Sequence, residues 1–518
     1  MPPPPRAPRR RLSVVRVSVV LLVVAAAVTW FGGGFRGSSS SAAGATGSWF
    51  APYVDVTATP TYAFEDPTVP AHGAAVLGFV VSSPTAACQP SWGGAYLLDA
   101  AAGQLDLDRR VARLKQLGGR VTVSFGGAAN SELGIGCTDV AQLTAAYRSV
   151  IDRYSATSID FDIEGAAASE SAVAGRRAAA TAAVLAQESA AGRTVGVWLT
   201  LPVGPSGLTD QGSTVLAAML AAKVPVAGVN GMTMDYGVPR PAGRSMADEG
   251  ELALTALQQQ VRSAYATAGT KLSDDQAWQR VGATAMIGQN DIASEVFTLA
   301  DARQLVAFAD QHRMARLSMW SANRDQGCGP NYPDVQIVSD GCSGVPQDAG
   351  EYSAIFQTFG QAPVAGTAVT TITSAATSSA NLSVVAIAVV DDPATSPYAI
   401  WNINQAYPKY TKIVWHRNVY QAKWYSQGDQ PDAPVTSADL TPWTLIGPVL
   451  PGEHPVATPT VAAGTYPQWN AASVYQGGSR VMLGGVGYQA KWWTQGEPPG
   501  RTPTSPADVS PWALITTP

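Results

Sequence analysis

The stretch Ser158–Gly165 reads SIDFDIEG. Asp160, Asp162 and Glu164 occupy every second position, and Ile159, Phe161 and Ile163 fill the gaps. On a helix, positions i, i+2 and i+4 spread around the axis, whereas on a strand they share one face. Successive members of that face stand about 6.5–7 Å apart along the strand. The Ile/Phe/Ile face is apolar and marks burial against a layer of helices. The carboxylates then point toward the axis of whatever the strand helps to enclose, with Glu164 outermost. Close carboxylates in a low-dielectric site do not all ionise easily, so one or more holds a proton near neutral pH. A held proton is what cleavage of a glycosidic bond needs at the leaving oxygen. A solvated acidic edge strand does not fit the three apolar residues in between.

Around this strand the chain alternates. Apolar, often β-branched runs begin at Trp49, Ala74, Arg120, Thr157, Thr194, Val229, Arg280 and Ala315. Runs of this kind are typical of strands covered on both faces. Helical patterns separate most of them, at Leu105–Leu117, Ala141–Tyr154, Ala172–Ala190, Glu249–Ala268 and Leu299–His312. The first crossover, Thr57–Gly73, shows no clear helix. Eight strands with alternating helices predict an α/β fold, a (β/α)8 TIM barrel, over residues 48–360. No GxGxxG turn follows any strand, which counts against a dinucleotide-binding open sheet.

The 518 residues carry a net charge of −5 and are only 14% charged, which argues against a nucleic-acid partner. Basic residues cluster once, at Arg6, Arg9, Arg10, Arg11 and Arg16, ahead of the apolar run Val17–Phe31. A basic head followed by an apolar run is an export signal or a membrane anchor, and residues 1–47 are read as one or the other, with a Ser/Gly/Ala tail. Export places the protein outside the cell, secreted or held at its surface. The even count of four cysteines (Cys88, Cys137, Cys328, Cys342) then suggests two disulfides, with three pairings possible. Their spacing is not that of a zinc site, and no metal or organic cofactor is implied.

Residues 361–396 form a Thr/Ser/Ala-rich linker with little to build a core. An internal repeat follows. YQAKWYSQGDQPD begins at Tyr420 and YQAKWWTQGEPPG at Tyr488, 68 positions on. The repeats cover 397–447 and 466–518, with a Pro-rich spacer at 448–465. Each holds four tryptophans. A unit of about 50 residues buries little surface, so some aromatic residues must form its core. The adjacent pairs Trp424-Tyr425 and Trp492-Trp493 cannot both face one core if they lie on a strand. The displayed rings suit stacking on the apolar face of a sugar.

The carboxylate strand resembles the DGxDxDxE strand of family 18 glycoside hydrolases, the chitinases, with Thr157 and Ser158 in place of the first Asp-Gly. SFGG (Ser124–Gly127), MTMDY (Met232–Tyr236) and LSMWS (Leu317–Ser321) resemble further motifs of that family in the same order. In MTMDY, Met234 stands where the family has tyrosine, and Tyr236 follows Asp235. The resemblance implies substrate-assisted retaining hydrolysis of β-1,4-linked N-acetylglucosamine polymers, an exception to the two-carboxylate scheme. Glu164 would protonate the glycosidic oxygen, Asp162 would hold the acetamido N–H, and Asp160 would partner Asp162. Asp235 or Tyr236 would bind the acetamido carbonyl. Trp320 would floor the sugar site, with Ser124, Gly126, Met232 and Met234 beside the substrate. The two repeats resemble chitin-binding modules of the family 5/12 type, which implies insoluble chitin as the partner. A Cys88–Cys137 bridge between the loops after strands two and three, and a Cys328–Cys342 bridge after strand eight, fit this frame. Two other readings remain: an inactive glycan-binding barrel, or a hydrolase of another N-acetylglucosamine-containing glycan.

Overall fold

The computed structural model describes residues 47–332, 334–361, 390–455, 460–500 and 510–515. The apolar segment after the basic head, and most of the linker expected at 361–396, lie outside them. Among the described residues no helix is long and apolar enough to cross a membrane.

Parallel pairing runs from Tyr53–Asp55 to Ala74–Ser83, Arg120–Gly126, Ser158–Asp162, Gly196–Gly204, Val226–Met232, Val281–Met286 and Arg316–Trp320. The last of these pairs in parallel with Trp49–Phe50. One stretch thus serves both ends of the sheet. Between its two pieces, Ala51 N–H donates to the Leu317 carbonyl (3.1 Å) and the Pro52 carbonyl accepts from Val76 N–H (2.9 Å). Proline lacks a donor but keeps its acceptor, so Pro52 does not interrupt the second ladder.

Helices cover the outside at Leu107–Gln116, Val140–Tyr154, Ser171–Ala190, Asp210–Ala221, Met246–Thr267 and Leu299–His312. Asp210–Ala221 was not legible in the sequence. Its first turn holds Gly212, Ser213 and Thr214, which blur the apolar period, and Thr209 caps it by accepting from Gly212 N–H. The 57–73 crossover has no helix, as the sequence suggested. It is held instead by Glu65, which accepts from buried Arg110 at 3.0 Å.

Alternation along the strands sorts the interior. Ile159, Phe161 and Ile163 are fully buried on the helix side, where Phe161 meets Tyr147 at 5.3 Å. Facing the axis are polar groups instead: Tyr53, Ser124, Asp160, Thr200, Asn230, Thr284 and Arg316. The helix-side layer supplies the hydrophobic stabilisation, about 1.5–3 kcal/mol for each large side chain. The axis is left for chemistry. Both expected disulfides are present, Cys88–Cys137 and Cys328–Cys342.

The two C-terminal repeats share a topology. The first has a three-stranded antiparallel sheet (Lys412–Trp415, Asn418–Ala422, Trp443–Pro448) and a short pair (Ala406–Tyr407, Ser426–Gln427). The second repeats this with Arg480–Leu483, Val486–Ala490 and Trp512–Leu514, and with Val474–Tyr475 against Thr494–Gln495. Each core centres on an edge-to-face Tyr–Trp pair: Tyr407–Trp443 at 5.3 Å and Tyr475–Trp512 at 5.2 Å.

Candidate active site

The carboxylate strand divides into a floor and a mouth. At the floor, Asp160 is completely buried. Its Oδ2 accepts from Tyr53 Oη (2.7 Å) and Ser124 Oγ (2.8 Å), and its Oδ1 from Thr200 Oγ1 (2.7 Å) and Arg316 Nη1 (2.8 Å). The Arg316–Asp160 ion pair has both side chains at 0% exposure. The guanidinium is further enclosed by the rings of Trp49, Tyr53 and Trp198, at 5.2–5.5 Å. Buried ion pairs hold only when their remaining hydrogen-bonding capacity is met. Here Arg316 Nε also donates to Ser318 Oγ and Nη2 to Tyr53 Oη.

Two residues on, the environment changes. Asp162 is buried, yet its Oδ1 has no partner. The Asp162 carboxyl bonds to Glu164. Burial raises the Asp162 carboxyl well above its ordinary value, and the charges of Glu164 and Asp160 add to the effect. Glu164 is also raised, chiefly by burial; its hydrogen bond with Asp162 works against this, and the charges of Asp235 and Asp291 add to it. Both carboxyls are thus held above the range of isolated ones. Asp160 is not the partner of Asp162 expected from the sequence. Its oxygens are already engaged by Tyr53, Ser124, Thr200 and Arg316.

The strand ends at Asp162, and Glu164 stands at the head of the short helix Gly165–Ser169 with extended backbone. It borders a cleft of about 250 Å³ lined also by Tyr53, Phe79, Asp162, Thr200, Met232, Met234, Asp235, Thr284 and Trp320. Trp320 stacks on Phe79 at 5.4 Å and meets Tyr53 edge-on at 6.1 Å, so the cleft has an aromatic wall. Asp291 and Asp340 stand at the same cleft. A larger groove of about 660 Å³ between helices Asp210–Ala221 and Met246–Thr267 contains no carboxylate.

Several expected positions need correction. Ser124 is fully buried and its hydroxyl is committed to Asp160, so it does not face the cleft. Gly126 has φ 107°, and a Cβ there would sit 2.0 Å from the Asp162 carbonyl oxygen. It is glycine so that the carboxylate strand can approach. Asp235 and Tyr236 also separate. The strand stops at Met232, and Asp235 takes a left-handed conformation, φ 48°. Asp235 faces the cleft, held by Ile292 N–H at 3.1 Å. The Tyr236 hydroxyl is buried without a partner, beside Gly250 of the helix Met246–Thr267. Burial pushes the Tyr236 hydroxyl well above its usual value. Burial also raises Asp235, against which the Ile292 N–H works.

Tyr53, Phe79, Thr200, Thr284 and Arg316 were not singled out from the sequence. A signal existed for some of them. Arg316, Ser318 and Trp320 alternate on one face of the last strand, and an arginine inside an apolar strand asks for a buried partner.

In the repeats, Trp424, Trp492 and Trp493 are 44%, 45% and 55% exposed, and Tyr425 is half-buried. The pairs lie in bends between strands rather than on a strand. Alternation is therefore not the reason they are displayed, and in the second repeat both rings are exposed.

A parallel α/β domain with a buried pair of raised carboxyls beside an aromatic wall fits a glycoside hydrolase, and the comparisons agree. The catalytic domain of a hyperthermophilic chitinase from Pyrococcus furiosus is 30% identical, with 95% of that chain and 61% of this one covered at a TM-score of 0.53. The chain belongs to the chitinase family. A probable bifunctional chitinase/lysozyme of Escherichia coli (strain K12) is 33% identical over 299 residues, 54% of this chain and 31% of that protein. Endochitinase 11 of Metarhizium anisopliae is 34% identical over 224 residues, 42% of each. The chain thus spans less than half the length of these curated relatives. Residues 468–513 match carbohydrate-binding module family 5/12.

Proposed function

We propose that this protein hydrolyses chitin outside the cell, by a retaining mechanism in which the substrate's own acetamido group attacks. The observation that carries the reading is the Asp162–Glu164 pair, two raised carboxyls at the mouth with an aromatic wall opposite; we take the pair to share one proton. Glu164, the outer and less buried member, gives its proton to the glycosidic oxygen. Asp162 then accepts the acetamido N–H with its unpartnered oxygen and steadies the cyclic oxazolinium ion as positive charge develops. Asp235 meets the acetamido carbonyl, acting as a donor when protonated; burial favours that form. Trp320 supports the sugar ring from below. The strands form a closed eight-stranded barrel around the floor cluster. The first repeat shares the topology and the exposed aromatic bend of the second, and both act as chitin-binding modules.

The test is incubation with colloidal chitin, comparing the wild type with Glu164→Gln. The wild type releases soluble N-acetylated oligomers and the variant loses at least about 100-fold in rate, as for removal of a general acid. Equal rates would reject the role of Glu164. Separately, Trp424→Ala combined with Trp492→Ala lowers binding to insoluble chitin while turnover of a short soluble oligomer survives. Parallel loss of both would show that the repeats do not bind independently.

A further inference from the structure

The loop that follows the strand Val281–Met286 carries a buried carboxylate with no part in the steps above. Glu295 is 1% exposed, and among the described residues it forms no ion pair. Both its oxygens go to the backbone of another loop: Oε2 accepts from Tyr236 N–H (3.0 Å) and Oε1 from Gly237 N–H (3.1 Å). Taking a carboxylate out of water without a counter-charge is costly, and two charge-assisted hydrogen bonds offset that cost here.

Tyr236 and Gly237 directly follow Asp235, which meets the acetamido carbonyl in the reading above. Asp235 has φ 48° and Gly237 φ 63°. Glycine takes the left-handed region freely, whereas an aspartate there is strained. Such a turn persists only where its surroundings hold it. One hairpin does so. Gly288–Gln289 pairs with Val296–Phe297, and residues 290–295 join them. Asn290 is buried, donates to the Met286 and Gly288 carbonyls (2.9 and 3.0 Å), and accepts at Oδ1 from Asp235 N–H at 3.4 Å. Ile292 N–H holds Asp235 Oδ1. Glu295 closes the hairpin's end, donating its N–H to the Ile292 carbonyl (2.8 Å) and accepting from Asn290 N–H (3.0 Å). The hairpin thus grips Asp235, Tyr236 and Gly237 in succession.

We propose that Glu295 is the positioning residue of the acetamido contact: it clasps two successive N–H groups, so that the Asp235 carboxyl faces the cleft before the sugar arrives. This rests on the role given to Asp235 above. The clasp has an electrostatic side as well. Burial raises the Asp235 carboxyl, the Ile292 N–H opposes this, and the charges of Asp291 and then Glu295 add to it. Glu164 and the buried Arg324 guanidinium also feel Asp235, and Asp340 stands at the same cleft. Removing the Glu295 charge therefore lowers the Asp235 carboxyl toward its ordinary range. The protonated form, which donates to a carbonyl, is then lost at a lower pH.

The experiment uses the full chain and a soluble N-acetylglucosamine oligomer, with kcat and KM followed from about pH 4 to about pH 8. Glu295→Gln is close in size but turns an amide N–H toward one of the two backbone donors. It raises KM about 3- to 10-fold with kcat within about three-fold, and the pH at which KM climbs moves down. Glu295→Asp keeps the charge on a shorter arm, so KM rises while that pH stays. In an Asp235→Ala background, either substitution changes KM by less than about two-fold, because Glu295 acts through Asp235. If Glu295→Gln does not fold, Glu295→Asp with and without Asp235 carries the same comparison. An unchanged KM, an unmoved pH profile in folded Glu295→Gln, or an equal rise in KM with and without Asp235 overturns the proposal. Failure of both single variants to fold overturns it too, since Glu295 would then be a plain structural residue. An Asp235→Ala variant with the KM of the wild type would instead sink the acetamido reading, and leave the clasp nothing to position.

Discussion

Asp160 and Asp162 are two residues apart on one strand and share one face, yet they are built for opposite purposes. Asp160 accepts four hydrogen bonds, one from a fully buried arginine. Asp162 keeps an oxygen without a partner, and burial with the nearby Glu164 charge raises its carboxyl. The difference shows how one pleated segment can join a rigid base to a reactive tip. At the floor, both Asp160 oxygens are fully engaged in fixing the strand. At the mouth an Asp162 oxygen is left without a partner.

The contrast can be broken most forcefully at the floor. Arg316→Met strands Asp160 in the interior, and removing one partner of a buried ion pair costs about 3–5 kcal/mol. Denaturant unfolding at neutral pH should show a loss of that size. A loss below about 1 kcal/mol would mean that the floor is not a structural anchor. Glu164→Gln acts in the other sense, with the large rate loss described above and an intact fold.

A pH series sharpens the same point. The folded carboxyls of Asp162 and Glu164 are raised above the unfolded values of about 4, so the folded state binds more protons across that window. The stability tied to them is present below the unfolded value and is lost as pH rises through the raised one. Glu164→Gln removes one member and relieves its partner of a like charge. The variant should gain melting temperature over the wild type at pH 7 and gain less at pH 4. A difference independent of pH would contradict the shared proton.

The smallest expected effects separate Asp235 from Tyr236. Asp235→Ala should raise KM for a soluble oligomer by about 5- to 10-fold, the worth of one good hydrogen bond. Tyr236→Phe should leave kcat and KM within about two-fold, because the hydroxyl it removes has no partner. The opposite ranking would return the acetamido contact to Tyr236.

The legible part of this molecule was the part governed by short periods. Alternation alone placed Asp160, Asp162 and Glu164 on one face and Ile159, Phe161 and Ile163 on the other. Repetition at a fixed offset revealed the two small domains, and the strand order brought the cysteines together in the right pairs. What alternation could not reach was any position after the chain changes direction. Asp235 and Tyr236 follow a chain reversal in the left-handed region, so their faces do not follow from Met232. Trp424 and Trp492 sit in bends for the same reason. Long-range partners were hidden too. Arg316 and Asp160 are 156 positions apart, and only the folded sheet brings them face to face. Arg109 and Glu453, 344 positions apart, form an ion pair, and Glu453 comes from a stretch whose prolines suggested a plain spacer.

The central claim is that the mouth pair, and not the floor, holds the mobile proton. It is tested most directly by a carboxyl-carbon NMR titration of the wild type, with Asp162 and Glu164 assigned by comparison with Asp162→Asn and Glu164→Gln. The account requires the two signals to move together, with one proton retained above the range of free carboxyls and lost only at higher pH. Two independent titrations near pH 4 would contradict it.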